Sequence, residues 1–210
     1  MSKKYYDISL EISTDMIIYP GDFGVEIKEK ARISDGDKCN LSIITLGSHT
    51  GTHIDAPKHF LDNGLTVNEL RLDYFIGKAK VYEIMAKDTV DVTDLEALDI
   101  RKDDIVLLKT RNSDLLKNSN FDQSFAYVTP GAARYLADIG IRTLGFDYLS
   151  VEKFSSTLSE THHSLLSAGI VIIEGLALAD IEPGEYEIIA LPIKIKNGNG
   201  SPARVVLVEE

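Results

Sequence analysis

One stretch limits what this chain can fold into more than any other: His49-Thr-Gly-Thr-His-Ile-Asp-Ala-Pro-Lys-His59. On a helix, residues four apart would share a face. Gly51 and Pro57, with Thr50 and Thr52 beside the glycine, disfavour a helix there. In an extended chain the odd-numbered positions share one face, and His49, His53, Asp55 and His59 are all odd. A straight strand would still hold His49 and His53 ~13 Å apart at ~3.3 Å per residue, too far for one ion with bonds of roughly 2 Å. The backbone must bend between them, and Gly51 permits the bend.

The residue types in this stretch point to a metal. Three of the chain's five histidines lie in it, and histidine is the commonest protein metal ligand. A lone histidine is more often a satisfied structural residue. Three with an aspartate, in one segment punctuated by Gly, Thr and Pro, reverse that balance. His49, His53 and Asp55 offer three ligands, one short of a closed structural site, and an open position is what a catalytic metal keeps. Glu174, at the end of the β-branched run Ile170–Ile173, is placed to close the protein's share. Asp55 and Glu174 could also bridge to a second ion, held with one of the adjacent His162 and His163. Two divalent ions bring four positive charges and the two carboxylates cancel two, so the excess favours hydroxide over water near neutral pH. His59 is read as the general base or acid, with metal ligation as its alternative. A solvated helix face would explain His162 and His163 equally well, and Cys39 reads as structural, since nothing marks it as activated.

Around this stretch the hydrophobic pattern is mainly that of strands. These are expected at Tyr6–Ile12, Val25–Ile33, Lys78–Ala86, Asp104–Thr110 and Thr143–Asp147, and a more buried one at Asn40–Gly47 leads directly into His49. The last pair is expected at Glu185–Lys196 and Ala203–Val208, joined by the Gly198–Pro202 loop. Thr93 reads as the N-cap of a short helix through Leu98, and the polar Lys117–Gln123 segment as loop. Thr129-Pro130 opens a helix that Gly140 stops, with Ala133, Leu136, Ala137 and Ile139 partly buried. Thr157-Leu-Ser-Glu160 has the form of a capping box before a helix carrying His162 and His163, which Gly169 ends. Strands outnumber helices and the two interleave only in the second half. The expected fold is α/β: a single compact domain over residues 1–210 with a mixed β-sheet.

Composition removes several functions. A net charge of −11 and dispersed lysines argue against nucleic acid, which needs a basic stripe. No apolar run approaches the roughly 20 residues that span a bilayer, so no membrane partner is expected. Asp7 and Glu11 interrupt any targeting-type apolar segment after Lys3 and Lys4, and the single cysteine excludes an intrachain disulfide framework. A cytoplasmic protein is the expectation. A GxSxG elbow, a Walker-type loop, a GxGxxG fingerprint and an HExxH helix are all missing from the sequence.

The stretch His49–Phe60 resembles the HxGTHxDxPxH hallmark of the cyclase family of metal-dependent hydrolases, whose members include bacterial kynurenine formamidase (arylformamidase). The likeness is supported by Tyr19-Pro-Gly-Asp22, Ile105–Thr110, Thr143–Asp147, His162–Glu174 and Gly200-Ser-Pro-Ala-Arg204, and so runs through nearly the whole chain. The resemblance implies a swivelling β/β/α-type fold assembled as a homodimer or homotetramer. It implies one zinc on His49, His53 and Asp55, and a second on Asp55, His162 and Glu174, with manganese or a single ion as alternatives. The family's spacing to Leu-Leu selects His162 over His163, and His59 would be the proton donor and acceptor. The implied reaction is hydrolysis of a small acyl amide or cyclic amide or ester. A metal-assisted cyclase, isomerase or lyase step, or a non-catalytic metal-binding role, are the alternatives. Kynurenine formamidases carry a Trp before the Pro-Gly-Asp turn to contact the aromatic substrate. Here Tyr19 occupies that substrate-binding position and the chain has no Trp.

Overall fold

The computed structural model describes residues 3–84, 88–118 and 120–209. In chain order these form β1 (Lys4–Asp7), β2 (Glu26–Ala31), β3 (Leu41–Thr45), β4 (His53–Asp55), β5 (Ile76–Ile84) and β6 (Thr89–Val90). Next come α1 (Val92–Leu95), β7 (Ile105–Thr110), α2 (Asn112–Leu115), β8 (Tyr127–Val128) and α3 (Pro130–Ile139). The chain ends with β9 (Thr143–Phe146), α4 (Glu160–Ser167), β10 (Val171–Glu174), β11 (Gly184–Pro192) and β12 (Gly200–Glu209).

The principal sheet has eight strands in the order β1-β12-β11-β5-β7-β9-β10-β4, and a further β12–β4 pairing closes it on itself. Strands β5, β7, β9 and β10 run parallel to their neighbours in that series. Strands β11, β12, β4 and β1 complete the sheet through antiparallel pairings. The domain is thus α/β with a mixed, barrel-like sheet, as the patterning predicts.

The apolar run of β7 is buried on both faces, the usual state of a central parallel strand. Ile105 and Leu107 point into the barrel with Ala79, Val81, Ile173, Ile188 and Leu207. Val106 and Leu108 point outward, where Leu136 of α3 and Leu165 of α4 cover them. Each such Leu or Ile, fully buried, contributes about 1.5–3 kcal/mol. Where β9 passes β7 the packing is close: a Cβ on Gly145 would press on Leu107 of β7 and lie 2.7 Å from Leu176 Cδ1, so those side chains would have to shift.

Several local expectations need correction. Strand β1 stops at Asp7, because Ser9 Oγ takes the Val205 N–H and Thr52 Oγ1 takes that of Leu10. β3 is exposed along its whole length, since it pairs only with β2 in a separate two-stranded hairpin. Its isoleucines mark strand propensity rather than burial. Helix α1 is capped by Asp91, not Thr93, in a reciprocal capping box with Asp94. The short α2 precedes the Lys117–Gln123 segment, and the expected β5 end at Ala86 lies outside the described residues. β11 stops at Pro192 rather than Lys196 and β12 begins at Gly200, so the connection runs over residues 193–199, earlier in the chain than the Gly198–Pro202 signal suggests. The expected cap and stop of α3 are in place: Thr129 Oγ1 accepts the Ala132 N–H, and Gly140 adopts φ 77°.

Candidate metal centre

The site forms where β4, the turn after it, the carboxyl end of β10 and the start of α4 meet. Gly51, at φ 66°, makes the bend that the spacing requires. β4 then enters the sheet between β10 and β12, with His53 opposite both Glu174 and Pro202. That register places His53 and Asp55 beside Glu174 without any contribution from loops. Pro57 opens a single 3-10 turn that ends at His59. Gly175, at φ 71°, carries the chain away from Glu174 so close to Gly51 that a Cβ would meet the Gly51 carbonyl.

The two carboxylates each reach in two directions. Asp55 Oδ1 lies 2.7 Å from His49 Nδ1 and 3.3 Å from His53 Nε2. Its Oδ2 lies 3.7 Å from His162 Nε2. Glu174 Oε2 is 3.3 Å from His53 Nε2, while Oε1 is 3.3 Å from His162 Nε2. His53, Asp55, His162 and Glu174 are all buried. Asp55 and Glu174 thus each approach two or more of the rings. Of the two adjacent histidines, only His162 faces these carboxylates, and His163 is exposed.

The far nitrogens of the rings set the tautomers. His53 Nδ1 is 2.9 Å from the Gly51 carbonyl oxygen, so it donates there and leaves Nε2 bare. His162 Nδ1 lies 3.2 Å from Glu152 Oε2, again leaving Nε2 bare. His49 Nε2 lies 3.3 Å from Asn199 Oδ1. In their neutral forms these histidines would direct lone pairs at carboxylate oxygens, acceptor against acceptor. Such a contact holds only with a proton on the ring nitrogen or a metal cation between the groups. Burial opposes charge on His53, but hydrogen bonds to Asp55 and Glu174 outweigh it and push the ring up to about 10. Burial is likewise outweighed at His162 by Glu152 and Glu174, and that ring also rises to about 10. Asp55 and Glu174 stay below the usual carboxylate range despite burial, because the surrounding rings donate to them.

A divalent ion fits these residues better than protons do. Asp55 Oδ2 is buried without a hydrogen-bond partner, and an unpaired buried carboxylate oxygen is costly. Atoms bonded tetrahedrally at ~2.1 Å lie about 3.4 Å apart, close to the 3.3 Å separations around His53. Two overlapping sets of ligand atoms can hold an ion: His53, Asp55 and Glu174, and His49, Asp55 and His59.

His59 differs from the other three. Its ring stacks on that of His49, with centroids 3.8 Å apart, and it lines a cavity of about 220 Å³. Burial, the largest influence, pushes its pKa down to about 4, so the ring is neutral at pH 7. Tyr19 lines the same cavity and leans edge-on against Phe121, with centroids 5.1 Å apart. Phe60 lines it as well and stacks on His162 at 4.4 Å. The site thus joins a carboxylate pair able to hold a metal, a neutral imidazole and aromatic side chains in one small concavity.

Two contributors, Glu152 and Asn199, and the packing role of Gly200 were not visible in the sequence pattern. Glu152, ten residues before His162, and Asn199, 150 residues after His49, belong to no ligand spacing. Gly200 is needed because a Cβ there would strike the His49 ring and the Ile54 carbonyl oxygen. The signal available was the glycine itself, at the start of a strand.

Residues 6–153 match the family described as "Putative cyclase". A kynurenine formamidase of Salinibacter ruber is 38% identical over 203 residues, 96% of this chain and 95% of the relative. The structure of a predicted metal-dependent hydrolase from Bacillus stearothermophilus superposes with a TM-score of 0.88 at 34% identity, covering 100% of both chains. Isatin hydrolase A from Labrenzia aggregata, bound to benzyl benzoate, gives a TM-score of 0.84 at 25% identity, over 98% of this chain and 93% of that one. With that match, that identity and residue clusters able to hold a divalent metal, this chain belongs to the cyclase family of metal-dependent hydrolases.

Proposed function

We propose that this protein is a metal-dependent amidohydrolase of the arylformamidase-like type, cleaving a small acyl amide or cyclic amide. The observation that carries the reading is the pair of bridging carboxylates beside a neutral, untethered histidine. Asp55 with His49 and His53 would hold one ion, and Asp55 with His162 and Glu174 the second; zinc suits this nitrogen and oxygen donor set, with manganese as the alternative. A divalent ion bound there supplies Lewis acidity, polarising a carbonyl oxygen and acidifying water.

The chain's own residues do the remainder. His59, uncharged at neutral pH, accepts the proton of the water that adds to the carbonyl carbon. The same ring returns that proton to the leaving nitrogen as the C–N bond breaks, giving an amine and a carboxylate. Tyr19 and Phe60 offer apolar walls to the acyl or aryl part of the substrate. The buried floor of the site limits bulk water around the reacting atoms.

All 210 residues serve one catalytic domain in this reading. Self-association as a dimer or tetramer is supported by the β2–β3 hairpin, which exposes Ile27, Leu41, Ile43 and Ile44. A cytoplasmic setting is supported by the exposed free thiol of Cys39, and among the described residues no helix is long and apolar enough to cross a membrane.

The test is hydrolysis of N-formyl arylamines and cyclic amides in water enriched in oxygen-18. Incorporation of the label into the acid product is expected, and an unlabelled product would mean a lyase or isomerase instead. His59→Ala should lower kcat by about 10²–10⁴-fold while leaving metal content unchanged, and a parallel loss of metal would instead make His59 a ligand with His49 and Asp55. Full activity in that variant would remove His59 from the proton path.

A further inference from the structure

Each ring that faces the carboxylate pair is held by its far nitrogen, but the holders differ in kind. His53 is held by a backbone carbonyl and His49 by the side-chain amide of Asn199. Only His162 is held by a charged group. One oxygen of Glu152, Oε2, receives three donors: the Thr161 N–H at 3.0 Å, the His162 N–H at 3.1 Å and His162 Nδ1 at 3.2 Å.

The two backbone contacts explain how α4 begins. Ser159, at its N-cap, sits at φ 47° and makes no side-chain cap, so the capping box foreseen from Thr157 and Glu160 is absent. The acceptor comes instead from Glu152, eight positions before the first helical residue and buried against it. Its own backbone is fixed in turn, since Glu152 N–H donates to Ser150 Oγ at 3.1 Å. One carboxylate therefore sets both the start of α4 and the rotation of the ring that α4 delivers.

We propose that Glu152 is a positioning residue for the ion held by Asp55, His162 and Glu174. Its carboxylate selects the tautomer that bares His162 Nε2 and strengthens that nitrogen as a donor. The ion's affinity follows from Glu152, whereas the ion on the His49 and His53 side does not depend on it. This inference rests on the metal-centre reading above.

Calorimetric titration of zinc into the full chain, stripped by chelation, separates the two ideas. If wild type binds no zinc, the metal-centre reading fails and this one with it. Given two bound ions, Glu152→Gln keeps an acceptor for the helix but removes the charge. It should weaken one zinc by about 10-fold. Glu152→Ala removes both and should weaken the same zinc by about 100-fold, while the other ion stays within a factor of three. Unchanged binding, or equal weakening of both ions, would overturn the proposal. A reading that needs no variant comes from long-range proton–nitrogen spectra of the zinc-loaded wild type. His162 should carry its proton on Nδ1, and a proton on Nε2 would contradict the role given to Glu152.

Discussion

Asp55 is the residue on which the account turns, because its two oxygens face different rings and one of them has no hydrogen-bond partner. His49 and His53 account for Oδ1, and a cation site would account for the burial of Oδ2. Around it, small residues matter as much as ligands. Gly200 lies against the His49 ring, and a Cβ would also come within 2.7 Å of the Ile54 backbone oxygen. Backbone cannot yield as a flexible side chain can, so Gly200→Ala should displace His49 or β4. We expect a loss of about 1–3 kcal/mol in stability together with weaker metal binding, measured by thermal melting and by metal titration. A variant with wild-type melting and wild-type metal affinity would show that the contact is relieved at no cost.

At the scale of elements, the signals that survive are those with a local mechanism. Thr129-Pro130 and Gly140 bound α3 as their chemistry requires. Removing the cap with Thr129→Ala should cost about 1 kcal/mol and lower Tm by roughly 2–4 °C for a chain of this size, without affecting hydrolysis. An unchanged melt would assign the start of α3 to its packing rather than to its cap. Signals that depend on distant partners were unreadable. β3 has the composition of an inner strand, yet its neighbour is β2 and both of its faces are open. The N-terminus of α4 looked self-capped, but Glu152 supplies the acceptor. The metal-site candidates were legible because His49, His53, Asp55 and His59 sit in one short segment whose bend Gly51 announces. Glu152 and Asn199 were not, since neither a lone loop carboxylate nor a loop amide carries a ligand spacing, and only the folded sheet brings Asn199 to His49.

For the whole molecule, the barrel is what turns a local motif into a centre. Pairing of β4 with both β10 and β12 closes the sheet and sets His53 opposite Glu174. Closure therefore concentrates buried negative charge at one place, and bound cations should stabilise the entire domain. Binding to the folded state alone is worth about 2.7 kcal/mol at a ligand concentration one hundred times Kd. Chelation should accordingly lower Tm by roughly 5–10 °C, and zinc or manganese should restore it. Melting that ignores chelator would separate the carboxylate pair from metal binding.

The most direct measurement of the central claim is divalent metal content against amide hydrolysis in the same preparations. Samples stripped and reloaded to graded levels would be assayed by elemental analysis and with an N-formyl arylamine. Hydrolysis should rise with bound ion, vanish in stripped protein and return on reloading. Undiminished hydrolysis by metal-free protein would contradict the account.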